Sequence, residues 1–209
     1  MLNPIILAVP ELPSEMPMPQ RVASLSRHAR TAVQISARRS GLKISDRWPK
    51  DRDGSPLPDN GIFWSLTHKP RFVAGVVSRS RIGIDLERIK PRHTRALFKK
   101  TAGDSEWQLA PVKDWLHFYR YWTAKEAVLK AAGIGLKGLS GCRVIAISDE
   151  RHLKIHYRNR VWQVEHLFFD EHIASLVHQD KAVRWSVLKD VPIRMGDRTV
   201  SRYDRLVWP

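Results

Sequence analysis

Arg81-Ile82-Gly83-Ile84-Asp85-Leu86-Glu87 alternates by twos: Ile82, Ile84 and Leu86 share one face of an extended chain, and Gly83, Asp85 and Glu87 share the other. This predicts a half-buried β-strand with two carboxylates on its polar face. Upstream, Val22 to about Arg39 reads as a helix. Val22, Leu25, Ala29 and Ala32/Val33 form its apolar stripe, Arg21, Arg27, His28 and Arg30 crowd its first half, and Gly41 predicts its stop. Prolines at positions 4, 10, 13, 17 and 19 limit the opening to a short strand and then extended chain. Residues 49–61, with three prolines and two glycines, read as a loop. Ile62–Leu66 and the valine-rich Phe72–Ser78 complete this side as strands.

Downstream, His93–Leu109 and Lys113–Ala132 read as helices, the second ended by Gly133 and Gly135. From Arg143 the chain turns β-rich, with runs at Val144–Ser148, His152–Tyr157, Val161–Phe168, Ile173–His178 and Val183–Leu188. The strands do not alternate with crossover helices, so the expected class is α+β rather than α/β. A break roughly halfway lies near Ser78–Arg81, and the expected units are residues 1–80 and 81–209.

The 209 residues carry 36 Lys+Arg against 21 Asp+Glu, a formal charge of +15. With 43% hydrophobic residues and eight tryptophans, the chain is too apolar and too aromatic for a disordered tail. No stretch approaches the ~20 apolar residues of a membrane-spanning helix. Ile5–Val9 is too short for a secretory core, no basic cluster precedes it, and Pro10 and Glu11 follow at once. The single cysteine, Cys142, excludes an internal disulfide and a multi-cysteine zinc site. A cytoplasmic protein is expected, with no membrane association. The basic excess asks for an anionic partner but does not choose one.

Four groups of residues are equipped for chemistry, and each has a plainer reading. Asp85 and Glu87 can chelate a hard cation such as Mg²⁺, or they are two acids on a solvated strand face. Trp122, Glu126 and Lys130 stand at i, i+4 and i+8 of a helix, where Glu before Lys is also the favoured orientation of an ordinary ion pair. Ser65-Leu66-Thr67-His68-Lys69 can donate to a phosphate or form a polar turn. Arg21, Arg27, Arg30 and Lys50 supply cations, or a solvated basic face.

The order of these groups carries more than any of them singly. Gly83-Ile84-Asp85-Leu86-Glu87 and Trp122-Thr123-Ala124-Lys125-Glu126-Ala127-Val128-Leu129-Lys130 match G-[IV]-D-x-E and W-[ST]-x-K-E-[AS]-x-x-K without a mismatch. The chain in this respect resembles the 4′-phosphopantetheinyl transferases, specifically the larger surfactin-synthetase-activating type. The resemblance runs from about Arg21 to the last strands. It implies two similar α+β halves related by pseudo-two-fold symmetry, with the active site between them. It also implies transfer of the phosphopantetheine arm of coenzyme A to a serine of an apo carrier protein, releasing adenosine 3′,5′-bisphosphate.

On this resemblance Asp85, Glu87 and Glu126 are the expected metal ligands, for Mg²⁺ or Mn²⁺. Glu126 is also the expected general base, and Lys130 the diphosphate contact; with Glu87 these are the residues expected to carry the transfer. Thr67 and His68 are expected at the 3′-phosphate of coenzyme A. Arg21, Arg30 and Lys50, with Arg27 beside them, are expected around the same phosphates. Lys125 is expected to contact phosphate or to hold the site's geometry, and Glu106 to support the metal. Trp64 and Lys69 depart from the pattern, which favours a small residue before the Ser-Leu-Thr-His run and Ser or Cys after it. The expected partner is a carrier protein with an acidic surface, and the expected state a monomer. Two other readings compete: a basic nucleic-acid-binding module, with Trp107 and Trp115 stacking on bases, and a coenzyme A-binding homologue without transferase activity.

Overall fold

The computed structural model describes residues 1–94 and 96–189; the end of the second expected unit, 190–209, lies outside the described residues. The chain order is β1 (Ile5–Ala8), α1 (Met18–Arg39), β2 (Phe63–His68), β3 (Phe72–Ser78), β4 (Ile84–Arg88), α2 (Ala96–Thr101), α3 (Asp104–Trp107) and α4 (Trp115–Ala132). A 3-10 segment, Gly135–Gly141, leads into β5 (Arg143–Ile147), β6 (His152–Tyr157), β7 (Arg160–Phe169), β8 (His172–Val177) and β9 (Ser186–Leu188). The class is α+β, as expected.

Two sheets form, in the orders β2-β3-β1-β9 and β4-β8-β7-β6-β5. Helix α1 packs on the first and α4 on the second. Strand β1 is central rather than peripheral, antiparallel to β3 and parallel to β9. The first sheet is thus completed by chain from beyond residue 81. Between the sheets, Ile6, Ala74 and Val76 meet Ile82, Ile84, Leu86, Ala174 and Leu176 in one core. The period-2 reading of residues 81–87 holds, with its apolar face turned to the first sheet.

Gly83 has a steric reason. A Cβ there would collide with the carbonyl oxygen of Ala127 and the amide of Ala131, so only glycine lets α4 lie this close to β4. Helix α4 starts where Asp114 accepts the amide of His117 at 2.9 Å and ends at Gly133, whose φ is +71°. Its Thr123 hydroxyl lies 2.6 Å from Ser175 of β8, which in turn lies 2.8 Å from His166 of β7. This buried polar chain fixes the rotation of the helix on the sheet.

Three local expectations change. Helix α1 begins four residues earlier than predicted, with Pro19 in its first turn, and Val22 faces solvent. The helix expected over 93–109 is broken at Ala102-Gly103. There the Glu106 carboxylate accepts the Gly103 amide at 2.9 Å, and Trp107 donates to the carbonyls of Phe98 and Ala102, satisfying the groups the break exposes. Strand β2 runs on past the expected end at Leu66 through Thr67 and His68, for which the sequence left a polar turn open.

Candidate active site

Thr67 and His68 at the end of β2, Lys69 in the following turn, Asp85 and Glu87 on β4, and Trp122, Glu126 and Lys130 on α4 line one cavity of about 430 Å³. Leu66 and Leu136 complete its wall. Period-2 geometry on β4 and period-3.6 geometry on α4 each aim their polar residues at this point, because the opposite faces are committed to the cores.

Asp85 is buried, with 4% of its surface exposed. Its Oδ1 accepts from Thr67 Oγ1 at 3.0 Å and from Lys130 Nζ at 2.8 Å. Its Oδ2 is buried without a hydrogen-bond partner. Lys130 also donates to the carbonyl oxygen of Ile84 at 3.1 Å. Its ion-pair partner is therefore Asp85 across the cavity rather than Glu126 one turn away. Glu87 is paired with Lys69 at 2.6 Å.

Glu126 is half-buried, and no hydrogen bond to its carboxyl forms among the described residues. Burial, then the neighbouring charge of Asp85, pushes its pKa up to about 7, with Lys130 and Lys69 offsetting only part of this. A carboxyl so poised exchanges a proton near neutral pH. Burial, with Lys130 and Lys69 adding to it, holds the His68 imidazole below its ordinary range, and Lys50 contributes in the same direction. This favours the neutral form of His68.

The remaining expected residues scatter. Lys125 is 2% exposed and turned away from the cavity. Its Nζ lies 2.6 Å from Glu106 Oε1 and donates to the Thr101 carbonyl at 2.7 Å. Glu106 in turn accepts the amides of Gly103 and Val144. Both residues are held between α3, α4 and β5 and neither lines the cavity; for Lys125 this burial suits the second expected role, holding the site's geometry.

Arg30 places its guanidinium 5.7 Å from the centre of the Trp48 ring, with Nε buried and unpartnered. Trp48 meets Trp64 edge-on at 5.2 Å, and Trp64 donates to the Leu57 carbonyl, so the departure at position 64 is accommodated by a small aromatic core. Arg27 and Lys50 are exposed on the surface. Arg21 is not brought to the cavity: it donates to the Pro13 carbonyl and lines a separate cleft of about 880 Å³ with Arg71 and Lys189. Trp107 is buried and Trp115 packs against the same core, so neither is presented for stacking on bases.

Among the described residues no three His, Cys, Asp or Glu side chains are grouped closely enough to hold a metal ion as they stand. The sequence left Lys69 open between a phosphate contact and a polar turn, and the structure pairs it with Glu87. Its pairing with Glu87 spans 18 positions and two strands, and no local period reports it.

The model of the 4′-phosphopantetheinyl transferase superfamily matches residues 81–187, more than half of the chain and including both motifs. The chain belongs to that superfamily. It is 26% identical to enterobactin synthase component D of Salmonella austin over 151 residues, 68% of this chain and 64% of that protein. It is 28% identical to a 4′-phosphopantetheinyl transferase of Bacillus subtilis over 102 residues, 47% of this chain and 45% of that one. A further relative, the 4′-phosphopantetheinyl transferase HetI of Nostoc, is 31% identical over 103 residues, 46% of this chain and 44% of its own. The matches thus span about half to two-thirds of the length of these curated relatives.

Proposed function

We propose that the chain transfers the 4′-phosphopantetheine arm of coenzyme A to a serine hydroxyl of an apo carrier protein, with a divalent cation, releasing adenosine 3′,5′-bisphosphate. The observation that carries this reading is one cavity in which a carboxyl of pKa about 7, two further carboxylates, two ammonium groups and a neutral imidazole converge. Phosphoryl transfer to a hydroxyl asks for this set: cations for the phosphates, a hard-cation site and a proton acceptor.

Asp85, Glu87 and Glu126 would hold Mg²⁺ or Mn²⁺. They are hard oxygen donors, and the unpartnered Asp85 Oδ2 is an orphan that a cation would satisfy. When bound, such an ion neutralises charge on the diphosphate. Glu126 is also the candidate acceptor of the attacking serine's proton. Lys130 holds the diphosphate. Thr67 and His68, with Lys50 nearby, bind the 3′-phosphate, and Arg30 and Arg27 extend the basic approach along α1. Arg21 belongs to that approach only if the ligand reaches the second cleft.

The same reading takes the molecule as the larger, two-half type: its two pseudo-symmetric halves follow the expected units, except that β9 joins the sheet of the first, and the cavity lies between them. One long helix on each sheet supports this. Much of the +15 charge is left over from the cavity, and we assign it to docking of an acidic carrier by a cytoplasmic monomer. The test is intact-mass analysis of apo carrier proteins incubated with the chain, Mg²⁺ and coenzyme A. An addition of about 340 Da, the mass of the transferred group in this chemistry, is expected on at least one carrier. Absence of any shift across fatty-acid, polyketide and peptide carriers overturns the reading.

A further inference from the structure

Two of the three cavity carboxylates carry an ammonium partner from the chain itself, and the two partners differ in kind. Lys130 is fixed, donating to the Ile84 carbonyl as well as to Asp85. Lys69 stands in the turn between β2 and β3, its amide tied to the Phe72 carbonyl. Among the described residues its Nζ has one hydrogen-bond partner, Glu87 Oε1, at 2.6 Å. The pair is sheltered: the side chains are 31% and 13% exposed. The flexible four-carbon stem of Lys69 leaves its ammonium free to swing away from Glu87.

We propose that Lys69 is a built-in competitor of the divalent cation, occupying the Glu87 oxygen that the ion needs. This inference rests on the reading of Asp85, Glu87 and Glu126 as a cation site, and deepens it. An ammonium and a divalent ion repel, so Glu87 serves one or the other. Cation binding to the free protein is weak because it must first displace Lys69. The displaced ammonium stays beside His68, where it meets the same anion that His68 would receive. The chain thereby couples cation uptake to arrival of coenzyme A, through its 3′-phosphate and a residue that stands where the family pattern favours Ser or Cys.

The test is Mn²⁺ titration of the full chain without coenzyme A, read by the electron-spin-resonance signal of free Mn²⁺, with thermal melts confirming that each variant is folded. Lys69→Met and Lys69→Gln, which keep the stem or a polar tip without the charge, are expected to bind Mn²⁺ about tenfold more tightly, equivalent to about 1.4 kcal/mol. Lys69→Arg keeps the charge and is expected to match the unaltered chain, and Asp85→Asn to lose binding. If Asp85→Asn loses binding while both neutral Lys69 variants bind no tighter, the competitor role is wrong and the cation site stands. If no folded form binds Mn²⁺, or binding ignores Asp85→Asn, the cation site itself fails and the competitor role with it.

Discussion

Lys130 Nζ lies 2.8 Å from Asp85 Oδ1, joining the last turns of α4 to the middle of β4 across 45 positions of sequence. The pair ties the two family motifs together at atomic contact. Removing the ammonium leaves Asp85 buried with a second oxygen already unpartnered. Lys130→Met is therefore expected to lower unfolding free energy by about 1–3 kcal/mol, in addition to suppressing transfer. Lys130→Arg should recover most of the stability. Urea denaturation of the two variants checks both outcomes.

Lys125 acts elsewhere. Its pair with Glu106 is almost fully enclosed, with side chains 2% and 10% exposed, and breaking such a pair strands a buried charge. Lys125→Met is expected to cost about 3–5 kcal/mol of stability, with little change in coenzyme A affinity at temperatures where the variant is folded. Denaturation and calorimetric titration together decide this. A stable variant with selectively weakened coenzyme A binding would return Lys125 to the phosphates.

Glu126 governs the pH profile. In the metal-free chain its carboxyl must lose a proton before it can hold a cation, so Mg²⁺ binding, and with it transfer at limiting Mg²⁺, is expected to rise with pH through about 7. Glu126→Gln should abolish that limb and reduce kcat by about 10²–10⁴-fold. The stability linkage runs the other way. The native carboxyl holds its proton above the ordinary Glu range, so its contribution is fully present at low pH and is lost as pH rises toward 7. Glu126→Gln should gain stability relative to the unaltered chain at pH 8, and not at pH 4.

His68 is expected to discriminate the 3′-phosphate. A charge-assisted bond of this kind corresponds to roughly 10–100-fold in affinity, so His68→Ala should weaken coenzyme A by that factor and dephospho-coenzyme A hardly at all. Equal losses for both ligands would remove His68 from the 3′-phosphate. Its imidazole, depressed in the free protein by burial and by Lys130, should move upward in pKa when coenzyme A binds, a shift that NMR titration reads directly.

His166 bears on acid stability. It is wholly enclosed between β7 and β8, and burial holds its pKa well below the ordinary histidine value. Below about 6.5 the unfolded chain therefore takes up a proton that the native chain refuses. Stability should fall as pH drops from 7 to 5, seen as a falling melting temperature. A neutral replacement such as His166→Gln should flatten that slope even where it lowers the melting temperature overall.

Much of this site was legible locally. Asp85 and Glu87 on one strand face, and Glu126 and Lys130 on one helix face, follow from periods of 2 and 3.6, and both pairs line the cavity. Thr67 and His68 line the cavity too, but the sequence left a turn open for them; only their pairing with β3 shows that the strand continues through them. The break between α2 and α3 escaped detection although its cap, Glu106 on the Gly103 amide, is local; the other Glu106 oxygen accepts from Val144, on a strand that arrives 38 residues later.

By itself the sequence determined the class, the motifs and the residue types that meet in the cavity, because periodicity and side-chain chemistry are properties of short stretches. It could not say which lysine faces what. Lys125 and Lys130 belong to one motif on one helix, yet one is enclosed with Glu106 and the other reaches Asp85. Successive helix positions are rotated by about 100°, so the rotational setting of α4 on its sheet decides the role of each residue. The contacts of Gly83 with Ala127, and of Thr123 with Ser175, fix that setting. Lys69 on Glu87 and β9 beside β1 were likewise decided only when distant stretches packed together.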